Sequence, residues 1–414
     1  MKREFTETRS LIVTVCHILP GQLIVAALTA LVISTGCNEK PVSPALRIPI
    51  PTYESIGVKP AINARGAITV LGGSLMPPEV KMAMDEASKS HVYIEELMEG
   101  VGKRLAELTG AEWGIVTSGA AGAIFASTAA SVTGMDISKN ARFPDTTGMK
   151  SEAVIPSDHN TGYHDAACRM VGLKLVQVDT AEEMEAAIND NTAIIFALGQ
   201  GFTRGGITLE EMVRIGKKHG VPVMVDAAAE RPDVPNMYLE AGCDLVCYSG
   251  GKALFGPQCS GLLIGRKDLC QAAFMNISPH GGMGRPMKVG KEEIMGLLTA
   301  VDLWINGRDH DAEWKEWERK LKYISDKISK IPTVQTKVLP PPGRIHPSPT
   351  LNVVWDTSTV KITSEDVRTK LYEGNPRIGI NSGKNNIGIS VFMVQDGEEI
   401  VVANRIYDIL SKAQ

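Results

Sequence analysis

Residues 243–258 read Cys-Asp-Leu-Val-Cys-Tyr-Ser-Gly-Gly-Lys-Ala-Leu-Phe-Gly-Pro-Gln. The apolar run 245–248 has the length and residue types of a buried strand, and Ser249-Gly250-Gly251 ends it. Lys252 then stands among small and apolar residues before Gly256-Pro257 turns the chain. Little in such surroundings solvates an ammonium, and desolvation lowers its pKa, which an amine needs if it is to attack an aldehyde. The two glycines let backbone approach a bound group, and Ser249 offers it a hydroxyl. These residues fit a lysine holding pyridoxal phosphate as a Schiff base. They also fit a loop lysine with its tip in water, the commoner fate of an isolated lysine. The rest of the chain has to decide.

Working outward, strands and helices alternate. Strands are expected at 114–117, 153–156, 173–178, 193–198, 221–225 and 260–264. Between them lie helices at 123–131, 163–171 and 235–240, one opened by Thr180 with Glu183, and one opened by Thr208 with Glu211. Upstream, Pro77-Pro78 opens a helix bearing Val80, Met84 and Ala87 on one face. A second helix carries Leu97, Val101, Leu105 and Leu108 and stops at Gly110. Such alternation predicts an α/β fold with a mostly parallel sheet covered on both faces. Ligands in these sheets lie beyond the carboxyl ends of the strands, which here means 118–122, 157–160, Asp226 and 249–252. After helices at 291–306 and 311–329 the pattern changes. Short strands at 334–339, 351–355, 377–381 and 386–392, with helices at 364–373 and 398–412, predict a smaller α+β C-terminal domain. The expected division is a large domain over 61–306 and a small one over 307–414.

Composition narrows the function classes. A chain of 414 residues with 22% charged and 43% hydrophobic residues suits a soluble enzyme of two to three domains. A net charge of −4 advertises no nucleic-acid surface. The cysteines, at 16, 37, 168, 243, 247, 259 and 270, form no CxxC pair and no Cys/His cluster of zinc spacing. Neither a metal site nor a disulfide framework is expected. The N-terminus differs: Lys2, Arg3 and Arg9 precede apolar runs at 11–19 and 23–34, which close on Ser34-Thr35-Gly36-Cys37. That is the pattern of an export signal, with a cysteine placed as in a lipoprotein cleavage site over 1–37; the alternatives are an uncleaved membrane anchor or a start codon placed too far upstream. Export would put the protein in the periplasm or on a lipid anchor, and otherwise it would be cytoplasmic. Residues 38–60, rich in proline, read as a tether.

Other strand ends carry chemistry too. Ser118-Gly119-Ala120-Ala121-Gly122, between a strand and a helix, presents backbone N–H groups as a phosphate cradle, or else is a tight turn filled with small residues. Asp226 could pair with a pyridine nitrogen, or cap a turn. His159 could stack on a cofactor ring, or be a polar loop histidine. Arg377, in Asn375-Pro376-Arg377-Ile378, could clamp a substrate carboxylate, or join a surface ion pair. Arg285 sits in a basic glycine-rich loop, 280–288, suited to an anionic substrate or simply to water.

The order of these pieces resembles a known family. Residues 62–76, 105–122, 225–232, 241–265 and 284–293 resemble the pyridoxal-phosphate enzymes of fold type I, in the group of bacterial selenocysteine synthase (L-seryl-tRNA(Sec) selenium transferase) and D-glucosaminate-6-phosphate ammonia-lyase. The resemblance implies Lys252 as the Schiff-base lysine, Asp226 on the ring nitrogen, Ser118, Gly119, Ala120 and Ser249 around the phosphate, and His159 near the ring face. It also implies a homodimer or larger homo-oligomer. The selenium transferases carry an N-terminal domain that grips tRNA; this chain has an apolar segment and a proline-rich stretch there, so tRNA is not an expected partner. The expected function is a lyase for an amino acid or amino sugar acid, with racemase and selenium-transferase activities as the alternatives.

Overall fold

Seven strands, β2 (Trp113–Thr117), β3 (Glu152–Pro156), β4 (Lys174–Val178), β5 (Thr192–Leu198), β6 (Val223–Asp226), β7 (Leu245–Ser249) and β8 (Gly261–Gly265), form the main sheet in the computed structural model. The structure describes residues 48–345 and 347–414, so the signal-like segment 1–37 and the first part of the proline-rich stretch lie outside the described residues. The chain divides at Val58 and Lys59 into two units. In the first, the described residues hold one short 3-10 turn, Glu54–Ile56, with no buried side chain. Everything else belongs to the second.

The main sheet runs in the order β2-β8-β7-β6-β5-β3-β4. Every neighbouring pair is parallel except those made by β8, which is antiparallel to both β2 and β7. Strand β5 is buried at all seven positions and β6 at all four, as apolar strands must be when helices cover both faces. Burying each such Val, Leu or Ile contributes about 1.5–3 kcal/mol, and these residues make up about half of the large core, with Ala filling much of the rest. The connecting helices start where their caps dictate. Thr208 and Glu211 form a reciprocal capping box. Thr180 accepts from the Glu183 N–H, while the Glu183 carboxylate reaches Asp179 N instead.

Helix Gly119–Thr133 is buried almost throughout, because Gly, Ala, Ser and Thr dominate it and let it lie close to its neighbours. Its hydroxyls are satisfied internally: Ser127 and Thr128 donate to carbonyls four residues back.

A second core gathers around a four-stranded antiparallel sheet of β9 (Gln335–Leu339), β10 (Thr350–Val354), β12 (Asn381–Ser382) and β13 (Ile387–Ser390). Two short strands, β1 (Ala61–Asn63) and β11 (Arg377–Gly379), pair in parallel beside it. The run 377–381, expected as one strand, is therefore two. Its first half pairs with β1 and its second with β13, and Ile380 between them is buried. Ile62 and Ala64 belong to this second core, so the chain enters it before building the larger one. Among the described residues no helix is long and apolar enough to cross a membrane, and no three His, Cys, Asp or Glu side chains gather as a metal site.

Candidate active site

The carboxyl ends of β5, β6 and β7 and the start of helix Gly119–Thr133 open onto one cavity of about 270 Å³. Its wall includes Gly119, Ala120, Asp226, Ser249 and Lys252. Five residues spread over 134 positions of sequence thus share one space, as the switch from strand to loop in a parallel sheet allows.

Each arrives by a local route. Gly119 takes φ +73°, a left-handed conformation, which turns the chain from β2 into the helix. The first N–H groups of a helix have no intrahelical partner and lie at the positive end of its dipole, so this wall suits an anion. Ser118 is the N-cap residue, half-buried, and its side chain makes no capping hydrogen bond. It stands next to the wall and is not part of it.

Asp226 ends β6 and is 5% exposed. Its Oδ1 accepts the Ala228 N–H at 3.0 Å, and Oδ2 lies 3.8 Å from His164 Nε2. His164 is wholly buried with neither ring nitrogen hydrogen-bonded, and burial holds its pKa below the ordinary imidazole value. A neutral imidazole leaves the Asp226 charge free to act toward the cavity.

Lys252 follows β7 in a turn closed by Gly256 N on Gly250 O at 2.8 Å and by Phe255 N on Lys252 O at 3.1 Å. Its side chain is half-buried. Burial lowers its pKa, while Asp226 and Cys247 work against that shift. Cys247 is itself buried, and burial pushes its thiol well above its usual range. An amine biased toward its neutral form thus shares a cavity with a carboxylate.

Three expected residues lie elsewhere. His159 does not reach the wall: the 3-10 turn Ser157–His159 directs it inward, where Nδ1 accepts the Leu198 N–H at 3.1 Å and the ring meets Phe202 edge-on at 4.9 Å. Arg377 lies on β11, its Nε donating to Tyr372 O at 2.9 Å and its guanidinium 4.3 Å from the Tyr372 ring. Arg285 is exposed, with Ser278 Oγ 3.4 Å from its Nη1. None of the three lines the cavity. Residues that sequence reading passed over do line it: Thr69, Gln258, Tyr163, Gln200 and Glu230. Gln258 reaches Thr69 O at 3.1 Å and so draws a distant loop to the rim. Only Glu230 carried a usable signal, as the acidic end of the run Asp226-Ala-Ala-Ala-Glu230.

Residues 80–396 match the family model described as aminotransferase class-V. The chain is 30% identical to D-glucosaminate-6-phosphate ammonia lyase of Salmonella typhimurium, over 87% of this chain and 98% of that one. It is 34% identical to a 5'-C-glycyluridine monooxygenase-decarboxylase of Streptomyces, over 69% of this chain and 73% of that one. An L-seryl-tRNA(Sec) selenium transferase of Aquifex aeolicus is 27% identical over 68% of each chain. The solved structure of D-glucosaminate-6-phosphate ammonia-lyase superposes with a TM-score of 0.76 at 28% identity, covering 88% of this chain and all of that one.

Proposed function

This chain belongs to the aminotransferase class-V family of pyridoxal-phosphate enzymes, and on that premise we propose that it is a lyase acting on an amino acid or amino sugar acid. Family membership implies pyridoxal phosphate, and the residues present fit it. The cavity wall offers unpaired helix N–H groups to a phosphate, a buried carboxylate to a ring nitrogen, and an amine of disfavoured charge to an aldehyde. When bound, that cofactor supplies an electron sink for a carbanion at the substrate's α-carbon.

The chain's own residues do the rest. Gly119, Ala120 and Ser249 would hold the phosphate, with Ser118 beside them at the helix start. Asp226 would stabilise a proton on the ring nitrogen. Lys252 would hold the cofactor's aldehyde end, and as a neutral amine it takes the proton from the substrate's α-carbon. Loss of a β-substituent leaves an enamine, whose released imine form takes up one water to give ammonia and a 2-keto acid. The observation that carries this reading is the shared cavity of Lys252 and Asp226, with burial working against the lysine's charge. The likeness to an ammonia lyase across nearly the whole of that relative supports the reaction class.

Purified protein is expected to be yellow, to lose its visible band on borohydride reduction, and to carry the reduced cofactor on Lys252 by peptide mass. Incubation with D- and L-amino acids and phosphorylated amino sugar acids is expected to release ammonia and keto acid. Reduced cofactor on another lysine would overturn the site. Interconversion of enantiomers without ammonia would reassign the enzyme as a racemase.

A further inference from the structure

Beside the cavity holding Lys252 lies a second one of about 390 Å³, and Glu230 borders both. The Glu230 carboxyl is 3% exposed, and its Oε2 accepts the Tyr238 hydroxyl at 2.6 Å. Oε1 accepts no hydrogen bond among the described residues. It lies over Gly199, where a Cβ would sit 2.1 Å from it, and Gly199 lines the second cavity and not the first. The free oxygen therefore belongs to the second cavity. A buried carboxylate is costly unless it is paired. Burial pushes this carboxyl up, against the pull of Tyr238 and Arg344, so the protein itself leaves its charge under-compensated.

The rest of the wall narrows what meets that oxygen. Phe202, Ile207, Leu209, Met237 and Tyr238 make it largely apolar. The Phe202 and Tyr238 rings, with centroids 6.4 Å apart and planes at 33°, form one aromatic surface, and ring faces attract cations. A second carboxylate, Glu210, stands exposed on the same wall. Arg344 is there too, with Nε 3.8 Å from Oε2, but its Nη2 is committed to Asp233 at 2.6 Å and to the Arg231 carbonyl at 3.3 Å. An entering anion would face two carboxylates and a guanidinium already engaged. Among the described residues no lysine, cysteine, serine or histidine lines this cavity, so its wall is suited to binding and not to covalent chemistry. We infer that the second cavity is a binding site for a small organic cation, an alkyl- or arylammonium whose N–H is accepted by Glu230 Oε1 and whose hydrocarbon body lies on Phe202 and Tyr238. The site goes beyond the lyase reading and does not depend on it.

The probe is N,N-dimethylbenzylammonium, a tertiary amine that donates one N–H and cannot condense with an aldehyde. Phenylacetate and benzyl alcohol share its ring and carry the opposite charge or none. Calorimetric titration of the purified full chain at neutral pH is expected to show the ammonium binding about 10-fold or more tightly than either comparator. In Glu230→Gln the ammonium is expected to weaken roughly 10-fold, while benzyl alcohol stays within a few-fold and so reports that the cavity still forms. Phe202→Leu keeps an apolar wall without the ring and leaves the buried carboxyl untouched, so it remains informative if Glu230→Gln does not fold. It too is expected to weaken the ammonium more than the alcohol. Met237 borders the second cavity and not the one holding Lys252. Met237→Trp is therefore expected to abolish ammonium binding, and binding that survives it places the probe elsewhere and overturns the proposal. Phenylacetate binding as tightly as the ammonium overturns it, as do equal effects on ammonium and alcohol in Glu230→Gln or Phe202→Leu. No turnover is needed, so a failure here and a failure of the lyase assay are read separately.

Discussion

At Lys252 burial and charge oppose each other, and the balance can be measured. Burial disfavours the ammonium form more than Asp226 and Cys247 favour it, so the amine is neutral over a wider pH range than a lysine in water. Only the neutral amine attacks an aldehyde. The rate at which cofactor-free protein takes up pyridoxal phosphate should therefore rise with pH through a midpoint below the ordinary lysine value of 10.5. Asp226→Asn removes the main group raising that value. Its midpoint should fall further, even as the variant loses turnover because the ring nitrogen has lost its partner. Stopped-flow absorbance over a pH series measures both, and an upward move in Asp226→Asn would mean that Asp226 does not act on this amine. His164 belongs to the same balance. Held neutral by burial 3.8 Å from the carboxylate, it confines the aspartate without discharging it.

The packing of helix Gly119–Thr133 against β8 decides how sharply the cavity's anion wall is placed. Gly261 meets Gly119 so closely that a Cβ on it would lie 2.4 Å from the Gly119 carbonyl carbon. Gly261→Ala must push the helix start away from the sheet, at a cost of about 1–3 kcal/mol for overpacking. Pyridoxal-phosphate affinity should fall by more than that of pyridoxal, whose lack of a phosphate makes it blind to this wall. Equilibrium titration of the two compounds separates the effects, and equal losses would place the phosphate elsewhere. Much at this scale was legible in the sequence. Buried strands betray themselves as apolar runs, and capping residues mark helix starts, so most elements end within a residue or two of their expected limits. Pairing partners leave no such trace. Residues 377–381 are equally apolar whether they serve one sheet or two, and only the fold reveals that β1 claims the first half. The same holds for long side chains. That Lys252 and Asp226 face one cavity follows from their places at strand ends, whereas the directions of Arg377, Arg285 and His159 depend on neighbours far along the chain.

Across the molecule, the second core reaches the Lys252 turn through a small aromatic cluster. Phe255, three residues past Lys252, packs on Phe392 at 5.0 Å, and Phe392 packs on Trp317 at 5.5 Å. Arg308 lies 4.5 Å from the Phe255 ring and donates to Ala253 O at 2.7 Å. The turn is thus braced from the C-terminal side of the chain, while no residue of the second core lines the cavity itself. Two truncations of similar severity should therefore differ in outcome. Ile378→Ala opens a hole in the second core and should cost about 2–5 kcal/mol, lowering the urea midpoint. Its cofactor affinity under native conditions should match that of the unaltered protein. Phe392→Ala should cost about 3–5 kcal/mol and in addition loosen the turn, raising the cofactor dissociation constant and broadening the visible band. Urea titration followed by tryptophan fluorescence reports the first effect, and cofactor titration well below the transition reports the second. If both variants weaken cofactor binding alike, the brace is not specific and global stability alone holds Lys252 in place. If neither does, the turn owes its shape to its own hydrogen bonds with Gly250 and Ser260, and the C-terminal core contributes only to keeping the chain folded.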